Sequence, residues 1–229
     1  IGGNGGNDAG GNRNARFLAC VAYLDGVRPS VVMCRGYYGR SVLAAWDWRD
    51  GQLTQRWVFD TKNGEHPYSG QGGHHVVVAD VDGDGRDEIV YHSMVVDDNG
   101  KGLYSTGLRH GDAIHAGVFD PARPTAIQVW GAHENENATT RFGTPGLALF
   151  EAGDGRIVWS ALPGVDVERA VAADIDPRHP GYETWSNRLG LHTWQGKSIG
   201  RAPRSNAHTI WWDGDLLREL LTGGRVTKW

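Results

Sequence analysis

Asp80-Val81-Asp82-Gly83-Asp84-Gly85-Arg86-Asp87-Glu88 packs four aspartates and a glutamate into nine residues, with two glycines between them. Carboxylates this crowded repel one another unless a hard cation sits among them. Oxygen ligands on alternate residues, with Gly where the loop turns sharply, suit calcium. The stretch opens like an EF-hand loop, which needs a bidentate Glu at its twelfth position. Counting from Asp80, that position is Tyr91. The residues Glu88-Ile-Val-Tyr-His-Ser-Met94 read as a strand and not as a helix. The reading is therefore a calcium loop in a β protein, with Asp80, Asp82, Asp84 and Glu88 as acidic ligands. The Arg86 carbonyl is the expected backbone ligand. An acidic β-turn without metal is the plain alternative.

The loop lies in a chain of 229 residues with a formal charge of −4, long enough for a sizeable core. This charge does not point to nucleic acid. No apolar run approaches the ~20 residues of a membrane span, so no membrane partner is expected. Residue 1 is Ile, so the chain reads as processed, trimmed or a fragment, and its targeting is not legible. Gly (34), Trp (10) and His (10) are heavily used, which suits a turn-rich all-β protein. Each Trp reads first as a core wedge and second as a sugar-stacking platform.

The two cysteines, Cys20 and Cys34, lie on expected strands Phe17 to Leu24 and Ser30 to Gly36. A hairpin symmetric about Val27 would set them face to face, where a secreted chain could form a disulfide. Two small core thiols are the alternative. Residues 1 to 14, rich in Gly and Asn, read as a loop.

Beyond Arg16, short strands follow one another with Gly, Asp and Pro between them, which favours a sandwich, barrel or propeller. A weak repeat decides among these. Its acidic part occurs at Asp80-Val-Asp82 with Glu88, at Phe119-Asp120-Pro121, and at Asp174-Ile-Asp176-Pro177 with Glu183. Its second part is a strand, a Gly turn and a strand. That part occurs at Ala45 to Gly51 leading to Trp57, at Leu149 to Gly155 leading to Trp159, and begins again at Trp211-Trp212-Asp213-Gly214. Recurrence every ~40 to 55 residues fits β-propeller blades of four strands, roughly four of them. A four-bladed ring and half of a larger ring both fit this length.

With these segments in view, the chain resembles bacterial rhamnogalacturonan lyases of polysaccharide lyase family 11. The matching segments are Arg35-Gly-Tyr-Tyr38, Gly70-Gln-Gly-Gly-His74, Ala79 to Gly85, Lys101-Gly-Leu-Tyr104, Gly107 to His115, Ala172 to Pro177 and Ile210 to Asp215. The resemblance implies an eight-bladed propeller holding several calcium ions, of which this chain would cover roughly four blades. It implies β-elimination at the rhamnose–galacturonate bond of rhamnogalacturonan I, a pectic polysaccharide, by a secreted, monomeric enzyme. His74, His110 and Arg169 match family residues that line the cleft and act in binding and catalysis. The histidines also belong to a calcium shell, with Asp112 beside His110 as the natural hard ligand. His75, His115 and Arg109 are weaker candidates. A guanidinium fits a uronate carboxylate bidentately, although Arg169 could instead pair with Asp166 or Glu168. Asp174, Asp176 and Glu183 form the second expected calcium loop.

The chain departs from the family pattern at Val118 and Gln128, where acidic residues are usual, so that turn's calcium site is expected to be weakened or lost. The stretch Asn135 to Pro145 looks longer than usual, which leaves endo-acting against exo-acting cleavage open. A non-catalytic calcium propeller that binds polysaccharide or protein is the competing function.

Overall fold

The computed structural model describes residues 16–62, 66–133, 143–162, 167–203 and 208–229. The Gly/Asn segment expected as a loop lies outside these residues, as do 135–142 of the stretch expected to be long and Asp166. The described residues form β-strands joined by turns, and no helix among them is long and apolar enough to cross a membrane. The chain divides into two compact units, residues 1–111 and 112–229.

The first unit holds two four-stranded sheets. One runs β1 (Phe17–Ala22), β2 (Ser30–Arg35), β3 (Val42–Arg49) and β4 (Gln52–Asp60). The other runs β5 (Val77–Ala79), β6 (Glu88–Val90), β7 (Met94–Val96) and β8 (Gly102–Ser105). In both, spatial order is chain order and neighbouring strands are antiparallel. Alternation fixes the buried face: Ser30, Val32 and Cys34 point inward while Val31 and Met33 are exposed. The two sheets pack through one core that includes Leu24, Val32, Leu43, Ile89, Tyr91 and Met94.

The second unit holds β9 (Gly111–Gly117, from Asp112 onward), β10 (Gln128–His133), β11 (Leu147–Glu151) and β12 (Ile157–Ala161) in one sheet. A second contains β13 (Ala170–Ala173), β14 (Glu183–Ser186), β15 (Leu191–Thr193) and β16 (Ser198–Gly200). A third contains β17 (His208–Ile210), β18 (Glu219–Thr222) and β19 (Arg225–Thr227). Strand β13 is buried on both faces. Ala170 and Ala172 pack in one core with Trp130, Leu147 and Leu149, whereas Val171 and Ala173 pack in another with Trp185 and Leu220. Small side chains at all four positions let sheets approach from both sides.

Two expectations are corrected. Glu88 to Met94 is not one strand: the backbone turns at Tyr91–Ser93, closed by Tyr91 N–H on the Met94 carbonyl (2.8 Å), with His92 at φ 66°. The β1–β2 hairpin is centred on Gly26, not Val27. Cys20 pairs with Val32 and Cys34 with Leu18, a register two residues from the one that would set the thiols opposite. The cause is local. Gly26, at φ 74°, donates to the Tyr23 carbonyl, and Asp25 Oδ1 accepts from Val27 and Arg28 N–H. Both cysteines are free thiols, and burial pushes the Cys20 thiol up to about 11.

Candidate functional site

The acidic turn joins β5 to β6 and builds itself from its own backbone. Asp80 accepts from Gly83 and Gly85 N–H (2.7 and 3.0 Å), and Asp82 accepts from Asp84 N–H (3.1 Å). Glu88 Oε2 accepts from Val81 N–H (2.8 Å). Oxygens of Asp80, Asp82 and Glu88 lie within 4.8 Å of one another. Glu88 has no solvent exposure, and its Oε1 has no hydrogen-bond partner. Burial pushes the Glu88 carboxyl up to about 7, and Asp82, Asp84 and Asp80 add to the rise. Taking a carboxylate out of water costs several kcal/mol unless a cation meets it. Among the described residues no cationic side chain pairs with Asp80, Asp82 or Glu88. Arg86 turns instead to Asp98 (3.0 Å). An all-oxygen donor set around a buried, unsatisfied carboxylate oxygen fits a hard divalent cation. Asp84 stands outside the set, since it is exposed and caps Arg86 N–H (2.9 Å).

The second expected loop, between β13 and β14, has the same closing bond but a different centre. Glu183 Oε2 accepts from Ile175 and Asp176 N–H (2.9 and 3.0 Å). The Arg178 guanidinium grips both oxygens of Asp176 (2.8 and 2.6 Å) and holds its pKa down at about 2. Asp174, Asp176 and Glu183 are not gathered into one ligand set. The sequence reading missed Arg178 because it counted carboxylates and not the cation between them. At the turn between β9 and β10, Gln128 stands where a Glu was expected. Its Oε1 accepts from Phe119 N–H (2.9 Å) and its Nε2 donates to Glu151 (3.0 Å). Arg123 bridges Asp120 and Glu151 (3.0 and 2.8 Å).

The histidines of the first unit lie on loops that follow β4, β6 and β8, and the loop after β2 adds Tyr37 and Tyr38. His74 and His110 have ring centroids 4.9 Å apart. Tyr37 stacks on His110 (4.9 Å, 15°), and Tyr38 lies 4.0 Å from it. Both ring nitrogens of His74 engage tyrosine: Nδ1 with Tyr37 Oη (3.1 Å) and Nε2 with Tyr38 Oη (3.3 Å). His110 is buried, and its Nδ1–H donates to the Gly72 carbonyl (2.7 Å), which makes Nε2 the basic nitrogen of that ring. Gly72 and Gly73 are needed for this approach. A Cβ on Gly72 would lie 2.7 Å from both Tyr37 and Tyr91, and one on Gly73 would lie 2.3 Å from His92. Backbone bonds tie the loops: His74 N–H donates to the Gly111 carbonyl (3.1 Å) and Ser93 N–H to the Gln71 carbonyl (2.9 Å). Gln71 Oε1 receives Arg109 N–H (3.0 Å), and Arg109 is held at φ 72°. Left-handed backbone at His92 and Arg109 is the kind of strain that functional loops carry.

Asp112 follows directly from Gly111 as the second residue of β9 and is half-buried. His115 donates or accepts through Nε2 at the Ala170 carbonyl (3.0 Å); since a carbonyl accepts only, Nε2 carries the proton. His75 is exposed. Arg169 is exposed just ahead of β13, beside Glu168 at φ 57°. Tyr37, Tyr38 and Gln71 were missed as site residues. Their signal was the Tyr-Tyr pair after Gly36 and the Gln within the glycines before His74.

A family model described as the C-terminal domain of rhamnogalacturonan lyase family 11 matches residues 4–229. The chain is 51% identical over 224 residues to the rhamnogalacturonan endolyase YesW of Bacillus subtilis, covering 97% of this chain and 35% of that protein. It is 52% identical over 240 residues to the rhamnogalacturonan exolyase YesX of the same organism, covering 97% of this chain and 38% of that one. The chain thus spans little more than a third of the curated relatives it matches. Among solved structures, the Bacillus licheniformis rhamnogalacturonan lyase PL11 superposes with a TM-score of 0.89 at 53% identity. It covers 97% of this chain and 37% of that one. The crystal structure of YesW gives 0.90 at 51% identity, over 97% and 37% of the two chains.

Proposed function

The chain belongs to rhamnogalacturonan lyase family 11, and from that premise we propose that the whole protein is a calcium-dependent lyase of rhamnogalacturonan I. The observation that carries this reading is identity of 51% and 52%, across 97% of the chain, to two enzymes named for that substrate. The fold proposed with it is a β-propeller. It is supported by four-stranded sheets whose spatial order is chain order. The protein is proposed to be secreted, because its polymer substrate lies outside the cell.

The reaction breaks the bond from C4 of galacturonate to its oxygen. A base takes the C5 proton, the electron pair forms a C4–C5 double bond, and the leaving oxygen takes up a proton. Removing the C5 proton loads negative charge onto the uronate carboxylate. The Arg169 guanidinium is the proposed partner of that carboxylate, in the bidentate geometry lysine cannot offer. The basic Nε2 of His110 has one lone pair, proposed to meet either the calcium ion or a substrate hydroxyl or proton in transfer, but not both at once. His74 is proposed to line the same cleft, held by Tyr37 and Tyr38 through both ring nitrogens. Calcium, when bound, would add positive charge near the developing dianion. The residues proposed to hold it there are Asp112 with His110 and His74. A second ion is proposed in the acidic turn on Asp80, Asp82, Glu88 and the Arg86 carbonyl, with a structural role and with Asp84 shaping the turn through its bond to Arg86 N–H.

Ultraviolet absorbance of a rhamnogalacturonan I digest tests this, with calcium and with chelator, on the wild type and on His110→Ala. The expected result is a calcium-dependent rise from the unsaturated uronate, lowered ~10²-fold or more in the variant. A folded, calcium-binding protein that retains the polymer and gives no such rise would be a binding module instead.

A further inference from the structure

The turn between β17 and β18 repeats the geometry of the turn between β5 and β6. Trp212 N–H donates to Glu219 Oε2 (2.9 Å), as Val81 does to Glu88. Asp215 N–H donates to Asp213 (3.3 Å) and Leu217 N–H to Asp215 (2.8 Å), as Asp84 and Arg86 do to Asp82 and Asp84. Oxygens of Asp213, Asp215 and Glu219 lie within 4.8 Å of one another. The Glu219 side chain is only 3% exposed, and its Oε1 has no hydrogen-bond partner. Trp211 stands where the first turn has Asp80, and a second difference is a cation. The Lys228 ammonium sits among the three carboxylates, 2.7 Å from Asp213 Oδ2, bonded to Asp215 Oδ2 and 3.6 Å from Glu219 Oε1.

Strand register explains the difference. Leu220 pairs with Thr227, so the next position along puts Lys228 opposite Glu219. In the first unit Ile89 pairs with Val96, so the same position opposite Glu88 falls to Asp97. There the register adds negative charge: oxygens of Glu88, Asp97 and Asp98 also lie within 4.8 Å of one another. One slot on the third strand thus brings either a further acid or a cation to the buried glutamate that closes each turn.

We propose that Asp213, Asp215 and Glu219 form a divalent-metal site that the Lys228 ammonium occupies, so that the β17–β18 turn carries its own cation and excludes calcium. The carboxylates in turn hold the ammonium protonated, raising its pKa through the bonds to Asp213 and Asp215. Lys228 is 48% exposed, so replacing it removes the charge without opening a core. The proposal is independent of the lyase reading, because its test reads bound metal and not activity.

The test is calcium content after equilibrium dialysis of the full chain, measured by elemental analysis. Lys228→Met is expected to hold one more calcium per chain than the wild type. Adding Asp213→Asn to that variant should return the count to the wild-type value. Lys228→Arg, which keeps the charge, should leave the count unchanged. Equal counts in the wild type and Lys228→Met would overturn the proposal. So would loss of one calcium from the otherwise wild-type chain on Asp213→Asn, because metal would then already occupy the turn.

Discussion

Glu88 is a buried acid whose pKa rises from an ordinary 4.5 to about 7. A raised acid stabilises the fold while it is neutral. Its contribution is fully present below pH 4.5 and is lost as pH rises through about 7. Metal-free protein should therefore melt at lower temperature as pH rises across that window. Bound calcium needs the ionised form, so the rise in melting temperature on adding calcium should grow across the same window. Glu183, also raised to about 7 by burial, pushes the metal-free trend the same way. Glu88→Gln should flatten part of that trend and abolish most of the calcium response. Melting curves at several pH values, in chelator and in calcium, check this; a calcium response in Glu88→Gln equal to the wild type would remove Glu88 from the site. At the histidines, Tyr37→Phe deletes one bond to His74, worth about 1 kcal/mol. Turnover should fall several-fold while the melting temperature moves by only a few degrees; unchanged turnover would leave Tyr37 without a positioning role. His74 and His110 were singled out through the family resemblance, whereas the crowding of the Asp80 to Glu88 carboxylates was legible because it is local in the chain. The tyrosines that hold His74 were not, since they come from a loop more than thirty residues away in the chain.

Hairpins show why register was the harder reading. The Asp50-Gly51 turn was visible in sequence, and both residues take positive φ, as a two-residue hairpin requires. The β1–β2 loop was placed correctly but centred one residue late, because the Asp25 side-chain bonds that tighten it around Gly26 leave no mark in hydrophobic pattern. A shift of one in the centre moved the cysteine pairing by two. The split of Glu88 to Met94 into β6 and β7 was hidden for a similar reason: every residue from Glu88 to Val96 is buried, so alternation gave no signal. The repeated tryptophans have a structural explanation. Trp57 on β4 covers Gly100 in the β7–β8 turn, and Trp159 on β12 covers Gly196 in the β15–β16 turn. The last strand of one sheet thus lays an indole on the Gly turn of the next. A Cβ on Gly100 would lie 2.5 Å from the Trp57 ring, whereas one on Gly51 would meet nothing within 4 Å. Both residues have φ near 80° (82° and 76°). Gly51→Ala should cost only the left-handed strain, roughly 1–2 kcal/mol. Gly100→Ala should cost clearly more, by a further ~1–3 kcal/mol of overpacking. Equal denaturant midpoints for the two variants would mean that the indole yields freely.

Antiparallel meanders sort their turns by end, and in the first unit this separates the two kinds of chemistry. Loops after β2, β4, β6 and β8 carry Tyr37, Tyr38, His74, His92 and His110. Turns after β1, β5 and β7 carry Asp25, the Asp80 to Glu88 carboxylates and the Asp97-Asp98 pair. Contacts bear out the grouping: Asp87 accepts from Tyr23 N–H (2.6 Å) at one end, and the Tyr91 hydroxyl donates to the Gly36 carbonyl (3.0 Å) at the other. The sequence made the repeating acidic and Gly turns legible, and with them the order of the sheets. It did not reveal which acidic turns already hold a cation of their own, because Arg178, Arg123 and Lys228 reach their carboxylates through side-chain direction and register. Separation of the ends gives a prediction about the whole protein. A strand of three residues spans about 10 Å, so an ion in the acidic turn stands a strand length away from the histidines. Asp82→Ala should therefore act on stability and not on chemistry. At calcium concentrations ~100-fold above the dissociation constant, a bound ion stabilises by about 2.7 kcal/mol, which is about 5–10 °C in a domain of this size. The variant should lose that increment, yet keep turnover within about twofold of the wild type well below its melting temperature. His110→Ala should do the reverse, losing turnover while keeping the increment that the acidic-turn ion supplies. Parallel melting and initial-rate measurements on the two variants decide it. A large loss of turnover in Asp82→Ala at low temperature would mean that the two ends of the sheet are coupled through more than shared stability.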